Sequence, residues 1–303
     1  MPLKIFGFQA LWSPYFLAFI LLMTAGYFLL TVKLRHKFSN SEPLKVKQAV
    51  LFVVSMVLIY TIKGSPVDLM AHIMFTFHMV QMAFLYIVIP PLFIAGIPNW
   101  VWRAVVELPA VQPAFRFFTK PLIALVLFNG LFSVYHIPTV MDYVKLNGLL
   151  HAAYTVALFV FAVFVWWPLV NKLEGHYQLS GLKKLGYIIA DGVLLTPACA
   201  LIIFAGHPMY ETYTNGDMWM KAMELCVPAN TLEGLTISGP EVFTDVPAVE
   251  DQQLGGVLMK IIQEIVLGVV LAQIFFEWYR REQQEGEAIN AAALANSHAN
   301  PAE

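Results

Sequence analysis

The chain has 303 residues, 59% of them hydrophobic and 13% charged, with a formal net charge of −2 and a mean hydropathy of +0.67. A soluble domain cannot bury that much apolar surface, so the surface must face lipid, and one polytopic membrane domain is expected although the length could make two soluble ones. The small net charge argues against a nucleic-acid partner, and Cys199 and Cys226 are too far apart for a CxxC redox or zinc motif, nor does their spacing support a disulfide.

Lys4 is followed by an apolar stretch without a small-residue cleavage pattern between Met23 and Thr31, so the first helix is read as retained. A helix that crosses the hydrocarbon core needs about 20 mostly apolar residues. Candidate runs cover residues 15–32, 49–62, 73–94, 121–135, 150–170, 185–205 and 258–278. The second and fourth are short; Lys47 and Lys63 can snorkel at the ends of one, and Thr119 with Lys120 can extend the other. The expected fold is therefore all-α, a bundle of seven transmembrane helices, or six. Residues 1–282 form the membrane domain, with a long loop at 206–256. The 283–303 tail, rich in Ala, Asn and Glu, has no packed pattern and is expected to be mobile.

Loops flanking membrane helices on the cytoplasmic side are enriched in Lys and Arg. With these spans Lys33, Arg35, Lys37, Lys45, Lys47, Arg103, Arg116, Lys120, Lys172, Lys183, Lys184, Arg280 and Arg281 fall on one side. Lys4, Lys63, Lys145, Lys221 and Lys260 fall on the other, with many acids of the long loop. The N-terminus is thus expected outside and the C-terminus in the cytoplasm. Trp100, Trp102, Trp166, Trp167 and Trp278 read as interfacial anchors at the cytoplasmic ends, or as packing side chains.

This topology gathers histidines at the outer surface. His72 opens the third span, His136 closes the fourth, His151 opens the fifth and His207 follows the sixth, while His78 lies within the third. Only His36, His176 and His298 fall on the cytoplasmic side. At 100° per residue a continuous third helix would carry His72, Met74, His78, Met79 and Met82 on one broad face. Imidazole suits several transition metals and thioether selects Cu(I), so the combination points to copper. Methionine also fills irregular gaps between helices, and histidines at an interface can be satisfied by water, so ordinary packing stands as the alternative. Ionisable groups inside a span need partners. Glu264, in the outer half of the last span, reads as a partner held behind a ligand histidine, and Asp191 as a structural hydrogen-bonding group. No Walker loop, HExxH, GxSxG or histidine-box set is present, which argues against an enzyme.

His78-Met79-Val80-Gln81-Met82, Ile89-Pro90-Pro91-Leu92 and Gly96-Ile97-Pro98 are followed in order by Asn129-Gly130-Leu131-Phe132 with Tyr135-His136. Then come the segment from Asn147 to His151, Trp166-Trp167-Pro168, and Asp251-Gln252-Gln253-Leu254-Gly255-Gly256. In these segments the sequence resembles the CtaG family of cytochrome c oxidase assembly factors. The resemblance implies a multi-pass protein of the bacterial plasma membrane needed for active caa(3)-type heme-copper oxidase. Its partners would be oxidase subunits, and copper delivery to the catalytic subunit its role. The expected metal ligands are His72, His78, Met79, Met82, His136 and His151, with Glu264 behind them. Family members often carry histidine where this chain has Met82, and a Glu-His pair where it reads Ala152-Ala153-Tyr154. Heme handling through paired histidines and a scaffold for oxidase subunits are the competing readings.

The orientation is testable with reporter fusions. Green fluorescent protein joined after Glu303 should fluoresce and alkaline phosphatase joined there should be inactive; the opposite pair of results would invert the topology.

Overall fold

The structure, a computed structural model, describes residues 3–38, 40–227, 229–232 and 239–299. Among these residues every regular element is a helix. Six are long and apolar enough to cross a membrane: α1 Leu3–Lys33, α2 Val46–Lys63, α4 Phe75–Gly96, α9 Gly148–Val170, α10 Leu182–Phe204 and α12 Ala248–Ala299, whose span lies within Ala248–Ala291. Short helices connect them: α3 Pro66–Ile73, α5 Asn99–Val106, α6 Gln112–Phe118, α8 Pro138–Lys145 and α11 Gly216–Met223.

The fourth expected span is α7 Pro121–Tyr135, only 15 residues long. At 1.5 Å per residue it rises about 22 Å, short of the roughly 30 Å hydrocarbon core. Thr119 and Lys120 do not extend it, because the chain bends by 78° there between α6 and α7. Among the described residues there are thus six helices long and apolar enough to span, or seven with that bent pair taken as one.

Two boundaries also differ from expectation. The third helix is not continuous from residue 73: at Met74 the backbone is extended (φ −124, ψ 134), ending α3 and starting α4 anew. Ser65 accepts from the Val67 N–H and Pro66 occupies the first turn, so α3 is an independently capped helix, and His72 belongs to it rather than to α4. The last helix begins at Ala248, ten residues before the apolar run, shortening the loop before it. It continues past residue 282 to Ala299, with mostly exposed side chains over 283–291.

Helix α4 is the central post. About 61% of its apolar window is buried, against 17–33% for the other spans. It packs against α2, α9 and α12, while α10 joins α12 to α7 and α7 joins α9, closing a ring; α1 lies outside against α2. Pro90 and Pro91 do not break α4. The helix widens into a π turn over Phe84–Val88, and the Tyr86 carbonyl, which Pro90 cannot serve, accepts from the Trp166 indole at 3.2 Å. Trp166 and Trp167 are therefore core residues, 2% and 0% exposed, and not interfacial anchors. Packing won over the belt because the freed carbonyl needs a donor inside the bundle.

Close helix approach explains the Gly-Ile-Pro and Gly-Gly segments. A Cβ on Gly96 would come within 2.6 Å of the Phe52 backbone in α2, and one on Gly255 within 3.1 Å of the Thr76 Cα. Between α12 and α4 the decisive contact is polar. Asp251 accepts hydrogen bonds from the Phe75 N–H at 2.6 Å and the Thr76 N–H at 3.2 Å, and its carbonyl accepts from the Thr76 hydroxyl at 2.8 Å. A carboxylate from the last span thus caps the first turn of the central one.

Asp251→Ala should leave two buried N–H groups unpaired and cost roughly 3 kcal/mol. A detergent-solubilised thermal melt would reveal it as a clear loss of stability, and an unchanged midpoint would refute the capping role.

Candidate functional site

The break at Met74 and the end of α7 bring four of the expected histidines to one end of the bundle. His72, in the last turn of α3, approaches His151 at the start of α9 with ring centroids 5.8 Å apart. His78, in the first turns of α4, approaches His136 at the end of α7 at 6.1 Å.

The chemistry of two of these rings is set by their own helices. His72 Nδ1 lies 2.9 Å from the Asp68 carbonyl and His136 Nδ1 lies 2.8 Å from the Phe132 carbonyl, each four residues back. A carbonyl only accepts, so each Nδ1 carries the proton and, in a neutral ring, leaves Nε2 as a lone pair. Burial holds His72 neutral, pushing its pKa down to about 4, with Lys145 as the next contributor. The Nε2 atoms of His72, His78 and His136 are all buried without a protein partner. Buried polar atoms are ordinarily paired, so three unpartnered nitrogens at one end of the bundle mark it as the candidate site. Among the described residues no three His, Cys, Asp or Glu side chains converge as a ready metal-binding group; the imidazoles stand as pairs.

A polar layer covers the rings. The loop after α10 lays Tyr210 against Phe75 (ring centroids 4.6 Å) and Tyr213 against His78 (6.3 Å). Tyr210 donates to the His136 carbonyl at 2.9 Å and Tyr213 to the Ala71 carbonyl at 2.7 Å. Asp142 of α8 accepts from the Glu211 and Thr212 N–H groups and from the Thr212 hydroxyl. Gln252 accepts from the Met209 N–H at 2.8 Å. On the other flank Asp68 accepts from Lys63 and from Gln81, the latter at 2.8 Å. Burial alone would raise the Asp68 pKa, but Lys63, His72 and Gln81 outweigh it and hold the carboxyl below its ordinary value.

Two of the expected sulfur ligands and the expected carboxylate sit differently. Met79 packs toward Gly255 of α12. Met82, one turn beyond His78 on the same side of α4, is buried in the hydrophobic core. Glu264 is not behind a histidine: its side chain is 63% exposed and pairs with Lys260 at 2.7 Å. In an amphipathic reading a carboxylate is drawn inward; here its i−4 lysine satisfies it on the outer face of α12. His207 is exposed on the loop. Asp191 holds Asn129 at 2.8 Å, a structural bond between α10 and α7. Sequence reasoning missed Asp68, Asp142, Tyr210, Tyr213 and the burial of Lys145. The Tyr210-Glu211-Thr212-Tyr213 run within an otherwise polar loop was the available signal.

Lys145 is 1% exposed, its Nζ donating to the Tyr213 hydroxyl at 2.5 Å and standing over that ring at 4.1 Å. Burial lowers its pKa from 10.5 to about 7, with Cys226, Asp142 and Asp68 opposing the shift and Lys63 adding to it. A lysine depressed in the folded state binds fewer protons there than when unfolded, so stability should rise as pH increases from about 7 toward 10.5. Lys145→Met should flatten that slope in thermal melts taken across this window; an undiminished slope would assign it to other groups.

No curated protein and no solved structure matches the chain. The family described as cytochrome c oxidase caa3 assembly factor (Caa3_CtaG) matches residues 25–281. That match begins within α1, runs through the apolar part of α12, and takes in the Asp251 cap, the Gly96 approach and all four clustered histidines. The chain therefore belongs to the cytochrome c oxidase caa3 assembly factor family.

Proposed function

We propose that this assembly factor holds Cu(I) between the buried imidazoles and hands it to the catalytic subunit of the oxidase. The observation that carries the reading is the set of three Nε2 atoms, on His72, His78 and His136, buried without partners, two of them, on His72 and His136, left as lone pairs by the Nδ1 bonds. The spacing is compatible with it. Two imidazoles bound through nitrogen to one ion at about 2.0–2.1 Å have centroids about 5–6.5 Å apart, and the two pairs stand at 5.8 and 6.1 Å. Neutral nitrogen donors with a nearby thioether suit a soft monovalent ion. Met82, one turn from His78, is the thioether best placed to join; Met79, turned to α12, is not.

In this reading the histidine end faces the outer side of the plasma membrane. A pair of imidazoles is an open coordination sphere, so incoming histidines of the oxidase can add as the resident ones leave, and copper moves by ligand exchange. The α10–α12 loop, pinned by Tyr210 and Tyr213 over His78 and His136, screens the ion from water and must yield during transfer. Heme handling finds less support. Phe75, Phe132, Tyr135 and Tyr213 surround His78 and His136 with centroids 4.2 to 6.3 Å away, in the space a porphyrin plane would need.

Purified protein loaded with Cu(I) should retain it against a competing chelator. His78→Ala and His136→Ala should each weaken retention by roughly tenfold or more, while Met79→Leu should leave it unchanged. Wild-type protein that retains no copper, or histidine variants that retain it equally, would end the proposal.

A further inference from the structure

Outside the histidine site, the strongest unexplained feature is an ion pair on the lipid-facing side of α10 and α12. Lys260 donates to Glu264 at 2.7 Å and to the Thr196 hydroxyl at 2.7 Å. These groups line a groove of about 250 Å³ with Gly192, Val193 and Gly268. Thr196 and Gly192 stand near the middle of the 23-residue α10, and Glu264 lies well inside the apolar run of α12. The neighbours on this face are apolar and exposed: Val193, Ile261, Ile265 and Val269. The pair therefore sits at mid-depth on a surface that otherwise reads as lipid-facing.

We propose that this groove receives a transmembrane helix of the oxidase that presents a hydrogen-bond donor to Glu264. The proposal rests on the family assignment, which makes the oxidase the partner, and not on copper binding. Lys260 pairs with one carboxylate oxygen only and the Glu264 side chain stays 63% exposed; lipid tails offer no donor for the other oxygen, and leaving it bare among acyl chains is costly. Headgroups are out of reach from mid-depth. A second copy is a poor occupant: a two-fold axis along the membrane normal sets each Glu264 at the height of its own equivalent, so like charges face each other. A partner helix with a Ser, Thr, Asn, Gln, His, Lys or Arg side chain at that depth completes the carboxylate. Gly268, where a Cβ would meet nothing within 4 Å, leaves the groove open for a helix backbone to come close.

The test is made in cells that also express the caa3 oxidase. A photoreactive p-benzoylphenylalanine at Val193 should crosslink to an oxidase subunit, identified by mass, whereas the same group at Leu122 of α7 should not. The double substitution Lys260→Met with Glu264→Leu removes the charges together. It should reduce co-purification with the oxidase by roughly tenfold or more, while the melting temperature of the isolated protein stays equal or rises, because an exposed mid-membrane pair contributes little by itself. A structural role would instead lower the melting temperature. A crosslink to a second copy of this chain, adducts with lipid alone, or unchanged co-purification would each overturn the proposal. Copper retention measured on the same double variant separates the two ideas, since it should be unaffected.

Discussion

Everything at the histidine end depends on one carboxylate. Helix α4 starts inside the bundle, where its first N–H groups have no water to bond, and Asp251 from the last span supplies the acceptor. That cap fixes where α4 begins, and therefore the depth of His78 one turn on. It also binds the last helix to the most buried one. Gly255, one turn beyond Asp251, allows the two backbones to meet without a side chain between them. Without the cap the chain would have reason to continue α3 into α4, placing His72 and His78 on one helix rather than on two that converge with α7 and α9.

Around this junction the protein spends its polar groups in layers. The first is the set of histidines: His72 and His136 are tied through Nδ1 to their own helices, and the Nε2 atoms of His72, His78 and His136 remain open. The second is made of tyrosines and acids that hold the α10–α12 loop over them: Tyr210 on the His136 carbonyl, Tyr213 on the Ala71 carbonyl, Asp142 on the loop backbone. Lys145 is the one buried cation lying directly against the Tyr213 ring. A site arranged in this way keeps its unpartnered nitrogens dry beneath a loop pinned by Tyr210, Tyr213 and Asp142.

The sequence made the class of fold legible because hydrophobic runs of spanning length need no tertiary information. It also brought out the four histidines that the fold gathers, His72, His136 and His151 by adjacency to span ends and His78 as an ionisable group within a span. It did not show the Met74 break, because residues 73–94 are apolar throughout and the signal for a new helix is a carboxylate 176 residues away. It misplaced Glu264 for a related reason: depth along a helix is readable from sequence, but whether a side chain faces its neighbours or lipid depends on which helices flank it. The tryptophans show the same limit: Trp166 is held by a carbonyl that Pro90 leaves free on another helix, and Trp167 by packing against Trp102 and Phe115.

X-ray absorption at the copper edge, on protein loaded with one equivalent of Cu(I), tests the central claim most directly. The account predicts a nearest shell dominated by two imidazole nitrogens, with at most one sulfur, and loss of that imidazole signature in His78→Ala. A shell made of sulfur alone, or copper that washes away from the wild-type protein, would contradict it.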